Sequence, residues 1–198
     1  LILMGQISEN NLLGRGDKLA LSANIGGSSS RYNLAYTNPR VNDSRLSWGI
    51  DLFNTEREYD DYTRESIGGA MRIGYPVWEK WKLFGSYSFS DTDLSDVSDD
   101  ASYIIKNSVD IHITSAVKFS LVRDTRNQMF VPSDGSKNLV SIKYAGGPLS
   151  GDAQFTKVEG SSSWYFPLFG KTVFHVKGAA GQVFENEEDK LPVYERFY

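Results

Sequence analysis

Val109-Asp110-Ile111-His112-Ile113-Thr114-Ser115-Ala116-Val117-Lys118-Phe119-Ser120-Leu121 is the longest alternating run in the chain. Val109, Ile111, Ile113, Val117, Phe119 and Leu121 take every second position, with Ser115 the one break. Asp110, His112, Thr114, Ala116, Lys118 and Ser120 lie between them. A helix would repeat its apolar residues with a period near 3.6, whereas a strand sends successive side chains to opposite faces. The run therefore predicts a strand with one apolar and one polar face.

Working outward, the pattern recurs about ten times. Upstream, the apolar sets are Leu19, Leu21, Ala23, Ile25; Tyr32, Leu34, Tyr36; Leu46, Trp48, Ile50, Leu52; Ile67, Met71, Ile73, Tyr75; and Trp81, Leu83, Tyr87, Phe89. Downstream come Val140, Ile142, Tyr144, then Val158, Trp164, Phe166, then Phe174, Val176. Leu1, Leu3 and Gly5 read as the tail of a further strand.

A soluble sandwich and a membrane barrel both alternate. Three features favour the barrel. The polar positions are rich in Gly, Ser, Ala and Asn with scattered charges, which suits a crowded wet lumen. Aromatics such as Tyr75, Trp81, Trp164, Tyr165 and Phe166 gather at segment ends, as in an interfacial girdle. The connections alternate between short and long. Short ones carry proline at the strand exit: Asn38–Asp43, Tyr75–Lys80 and Phe166–Lys171, with Phe130–Lys137 as a fourth. Long, acidic ones run through Glu56–Glu65, Asp91–Asn107 and onward from Glu185, with Gly146–Gly151 a shorter member. Barrels of this class thread short periplasmic turns and longer outer loops, so the proline turns are expected inside and the acidic loops outside. Asp99–Asn107 reads as a short helix within its loop, capped by Asp99 or Asp100, or as irregular chain.

Composition agrees. The 198 residues carry a net charge of -4, which argues against a nucleic-acid partner. There is no cysteine, so no disulfide framework or thiolate metal site. No apolar run approaches the roughly 18 residues of a spanning helix. Leu1 to Met4 is too short for a signal segment, so the chain is expected to be an internal piece of a longer protein.

No catalytic constellation is present, and no enzyme, cofactor or metal role is expected. Gly26-Gly27 followed by serines reads as a loop tip. Gly68-Gly69 reads as a barrel bend. His112 is expected on the lumen face. Asp91, Asp93, Asp96, Asp99 and Asp100 are oxygen donors, yet their spacing matches no cation loop, so a solvated acidic face is the better reading. Loop lysines could meet lipopolysaccharide phosphates. One further segment stands out. Arg123, Asp124 and Arg126 end the alternating run, and Pro132 and Gly135 mark the turn after it. Charges there belong at the rim or in the lumen, because lipid exposure is costly.

Several pieces in order resemble the BamA-type outer-membrane protein assembly factor family, the bacterial surface antigen barrels with relatives in mitochondria and plastids. Glu9-Asn10-Asn11-Leu12-Leu13-Gly14-Arg15-Gly16 is similar to the family's early N-L-x-G-x-G hairpin, and Tyr36-Thr37-Asn38-Pro39 to its next periplasmic turn. Val122 to Gly135 resembles its mid-barrel R-D…P-x-x-G signature. Pro192 to Tyr198 resembles the approach to its large inward-folded loop.

The resemblance implies an all-β antiparallel transmembrane β-barrel, with residues 1–198 supplying about ten strands of sixteen. POTRA domains, the first strand and the closing strands would lie outside it. It assigns Arg123, Asp124, Arg126, Pro132 and Gly135 to a structural signature. It implies a multi-pass protein of the cell outer membrane that folds and inserts other β-barrel proteins. Its partners would be nascent β-barrel proteins, accessory assembly lipoproteins, and outer-membrane lipid and lipopolysaccharide. The alternatives are a related translocation pore secreting a passenger, a passive porin, and a soluble lectin-like sandwich. A ten-strand piece alone would have open edges and should mispair.

Overall fold

The computed structural model describes residues 2–197. Leu1 and Tyr198, which end two of the segments read above, lie outside them. Ten strands follow one another: β1 Leu3–Leu12, β2 Asp17–Ile25, β3 Ser29–Asn38, β4 Ser47–Glu58, β5 Thr63–Trp78, β6 Trp81–Ser95, β7 Ile113–Asp124, β8 Gly135–Ala145, β9 Phe155–Pro167 and β10 Val173–Glu185. Each pairs antiparallel with the next, giving one meander sheet in sequence order. The one α-helix among the described residues is α1, Tyr103–Ser108. No helix of the described residues is long and apolar enough to cross a membrane.

Register converts the alternation into two faces. Tyr75 lies opposite Leu83, Leu83 opposite Leu121, and Leu121 opposite Val140. Met71 faces Ile50 on one side and Tyr87 on the other. This face is apolar and uncovered: Ile67, Met71, Ile73, Phe119 and Val140 are 53–60% exposed. So large an uncovered apolar surface is a lipid-facing wall. On β5 it runs from Ile67 to Tyr75, between Glu65 and Pro76. Nine residues agree with the roughly 9–11 of a tilted crossing strand. At 16 residues, β5 projects beyond the bilayer.

The other face is polar. Arg72 grips Asp51 through two guanidinium nitrogens and donates to Thr37 at 3.1 Å. The guanidinium lies over Gly49, where a Cβ would collide with it. At Gly68 a Cβ would strike the Phe53 ring and the Phe89 carbonyl. Gly68 therefore makes room within the wall, beyond any part in bending it.

The structure corrects four expectations. First, β7 begins at Ile113, not Val109. Val109 closes α1, and Ile111 is 1% exposed in a cluster with Ala116, Ala145, Ala153, Phe155 and Leu191. Their spacing mimicked a strand, but burial under a loop satisfies apolar side chains equally well. Second, His112 therefore precedes the strand rather than lining the lumen. Its Nδ1 lies 3.7 Å from Asp93, whose register position is on the apolar face's side, past the lipid band. Third, length does not separate the two ends of the sheet. Most of Glu56–Glu65 is strand, leaving only 59–62 as the link, whereas the proline-bearing connection 125–134 is long. Pro39, Pro132 and Pro167 do share one end of the meander, with the acidic links 59–62 and 96–112 at the other. Fourth, α1 is capped by Ser102, not Asp99 or Asp100, and without a side-chain bond.

Met71→Arg, at mid-band on the apolar face, should destabilise the intact barrel by about 2–4 kcal/mol. Ser88→Asn on the polar face should change it by less than about 0.5 kcal/mol. Reversible urea unfolding in lipid would read both, and equal costs would contradict the face assignment.

Candidate functional site: a segment folded onto the polar face

After β10 the chain turns back and lies on the polar face. The reason begins in the strands. Lys143 of β8 stands directly opposite Lys157 of β9, and like charges at such a pair repel. Glu195 enters between them, with Oε1 2.6 Å from Lys143 Nζ and Oε2 3.5 Å from Lys157 Nζ. The three side chains are only 14–21% exposed. Solvent screens them weakly, and removing one partner leaves buried charge uncompensated.

Neighbouring residues extend the hold. The Arg64 guanidinium sits 4.0 Å from the Tyr194 ring centroid, a cation–π contact. Burial pushes the Tyr194 phenol up, opposed by the hydroxyls of Thr114 and Thr92. Phe197 covers Gly181, where a Cβ would meet its ring, and receives Lys157 Nζ at 4.5 Å from its centroid. Arg196 approaches Glu185 at 3.9 Å.

Helix α1 holds the segment from the loop end. The Tyr103 hydroxyl donates to Asp189 at 3.0 Å, Asn107 Nδ2 donates to the Asp189 carbonyl at 2.8 Å, and the Val193 amide donates to Ser108 Oγ at 2.9 Å. The Asp189 carboxylate thereby raises the affinity of Tyr103 for its proton. Val193 packs with Tyr62, Leu94, Ala101 and Ile105. Leu191 joins the Ile111 cluster, where the small side chains Ala116 and Ala145 allow close approach.

The Arg123–Gly135 segment is a second constellation, at the proline end of the sheet. Its residues part company. Arg123 lies over Trp81 on the apolar side, its Cζ 5.9 Å from the ring centroid. Asp124, on the opposite parity, accepts a forked pair from Arg126: Nε to Oδ1 at 2.9 Å and Nη2 to Oδ2 at 2.8 Å. Such bidentate charge-assisted pairs are stronger than neutral hydrogen bonds. Arg126 Nη1 also donates to the Met129 carbonyl at 3.2 Å. Pro132 is half-buried near the tip. Gly135 has φ +99, and a Cβ there would run into the Thr125 carbonyl.

Sequence reading passed over Asn127, whose side chain accepts from the amides of Ser133 and Asp134 at 3.0 and 3.2 Å. An asparagine just past a strand end was the available signal. It also passed over Lys143, Lys157 and Arg64, which occupy polar positions but gain meaning only through partners far along the chain. Among the described residues, the loop aspartates form no group of three or more metal-ligating side chains.

Residues 11–198 match the model of the Omp85 superfamily domain. The chain is 34% identical over 194 residues to the outer membrane protein assembly factor BamA of Nitratidesulfovibrio vulgaris, covering 98% of this chain and 24% of that protein. It is 27% identical to the BamA of Neorickettsia risticii, covering 96% and 26%. The human sorting and assembly machinery component 50 homolog is 23% identical, with 95% and 40% covered. The crystal structure of BamA from Haemophilus ducreyi lacking POTRA domains 1-3 superposes with a TM-score of 0.84 at 21% identity. That superposition covers 99% of this chain and 41% of the other, so the two share a fold. The chain thus spans about a quarter of the bacterial relatives it matches.

Glu195→Gln should free the segment, and cleavage by trypsin after Arg196 in the intact folded protein should speed up several-fold. Unchanged cleavage would mean the lysine clamp does not hold it. Gly135→Ala forces an L-residue into left-handed backbone against a carbonyl and should cost about 1–3 kcal/mol. The loss should appear as a lower temperature for the heat-induced gel shift of the intact barrel.

Proposed function

Because the chain belongs to the Omp85 superfamily, we propose that it forms part of the wall of a barrel that folds and inserts β-barrel proteins into an outer membrane. The carrying observation is likeness along the whole chain to proteins named as outer membrane assembly factors, at 34% identity to one of them. The structure supports the reading physically. The uncovered apolar face suits a protein of a membrane, and the Arg123–Gly135 segment, the mid-barrel signature of the resemblance, argues against a passive porin.

The activity needs no covalent chemistry or cofactor. A nascent strand entering lipid carries unpaired N–H and C=O groups, each costing several kcal/mol. A barrel that offers a strand edge lowers that cost by β-augmentation. Nascent β-barrel proteins are the proposed substrates. Accessory assembly lipoproteins, membrane lipid and lipopolysaccharide are the proposed partners. The described strands act as a rigid wall bearing the inward-folded segment, with the Asp124–Arg126 turn as its structural signature.

The test is reconstitution of the full-length protein in liposomes with an unfolded reporter β-barrel. Folding, read by heat-modifiable gel migration, should be faster than in empty liposomes. Equal rates, with passage of ions or of a soluble passenger instead, would favour a pore.

A further inference from the structure

Two arginines at the proline end of the sheet carry no ion pair among the described residues, although each lies against an aromatic ring on the lipid-facing side. Arg45 Cζ is 5.8 Å from the Tyr75 ring centroid, and Arg123 Cζ is 5.9 Å from that of Trp81. Tyr75 pairs with Leu83, and Trp81 sits two residues before Leu83 on the same face. Trp81 stands opposite Trp78, past a register shift that follows Pro76. Trp78 packs edge-on against Trp81 at 6.1 Å and is 66% exposed. Asp124, next to Arg123, is held by Arg126 at 2.8 Å.

We propose that Arg45 and Arg123, lying over Tyr75 and Trp81, each bind the phosphate of an anionic phospholipid in the leaflet at the proline end of the barrel. The inference rests on the reading of the apolar face as lipid-exposed. Depth argues for a lipid as the source of the phosphate. The rings close the apolar band of β5 and β6, where acyl chains give way to headgroups. A guanidinium at that level is partly desolvated, has no protein anion, and presents a planar fork suited to phosphate oxygens. Each ring attracts the guanidinium above it as a cation–π contact.

Native mass spectrometry of the full-length protein, released from micelles holding equal phosphatidylglycerol and phosphatidylcholine, tests this. The native protein should retain phosphatidylglycerol preferentially. Arg45→Gln with Arg123→Gln should lower that preference, by roughly five-fold per arginine, the scale of one basic side chain at an anionic lipid surface. Lys171→Gln, at another turn of the same end, should leave it unchanged, and Arg45→Lys with Arg123→Lys should restore only part. Intact heat-modifiable migration certifies folding of each variant. No preference in the native protein, or full preference in the double Gln variant, overturns the proposal. Displacement of the lipid by millimolar inorganic phosphate would instead assign a free-anion site. Reporter folding in phosphatidylcholine liposomes separates the two readings, since it should persist whether or not the lipid site exists.

Discussion

The whole structure depends on one requirement: in hydrocarbon, every backbone N–H and C=O must find a partner within the protein. A meander of antiparallel strands meets it by pairing each strand with its successor, and β1 to β10 follow that order without a crossover. Once the backbone is satisfied in this way, side chains are left to settle which surface each face tolerates. The apolar set faces lipid. The polar set accumulates charge that must be balanced on the other side of the same sheet.

That balance explains the inner architecture. Arg72 is neutralised by Asp51 one strand away. Lys118 lies 3.5 Å from Glu159. Among the described residues the facing lysines 143 and 157 have no such neighbour in the wall, and their anion arrives from the segment after β10. The infolded segment is therefore a charge requirement of the wall as much as a passenger in it. Its apolar residues, Leu191 and Val193, add burial beneath the outer loops.

The same accounting distinguishes the two arginines of the mid-sheet segment. Three residues apart, they fall on opposite sides of the sheet. Arg126 meets Asp124 and stiffens a turn, while Arg123 lies over an aromatic ring on the apolar side. A motif that reads as one unit in sequence is divided by the pleat into a structural clasp and a surface charge.

Strand identity, the two faces and the placement of the proline turns at one end were legible in the sequence, because each depends on residues within a few positions of one another. Alternation of Ile67, Met71, Ile73 and Tyr75 needs no partner to be recognised. Misreadings arose where local pattern and burial disagreed: Val109 and Ile111 alternate like a strand, yet pack under a loop. Register was beyond local reading. Only the paired sheet sets Lys143 against Lys157, and only the returning chain brings Glu195 to them, 52 and 38 residues away in sequence. The sequence by itself determined a wall of strands with one apolar and one polar face, since period two is a property of neighbours. The tertiary structure decided which charges meet, since that depends on how separate strands are aligned.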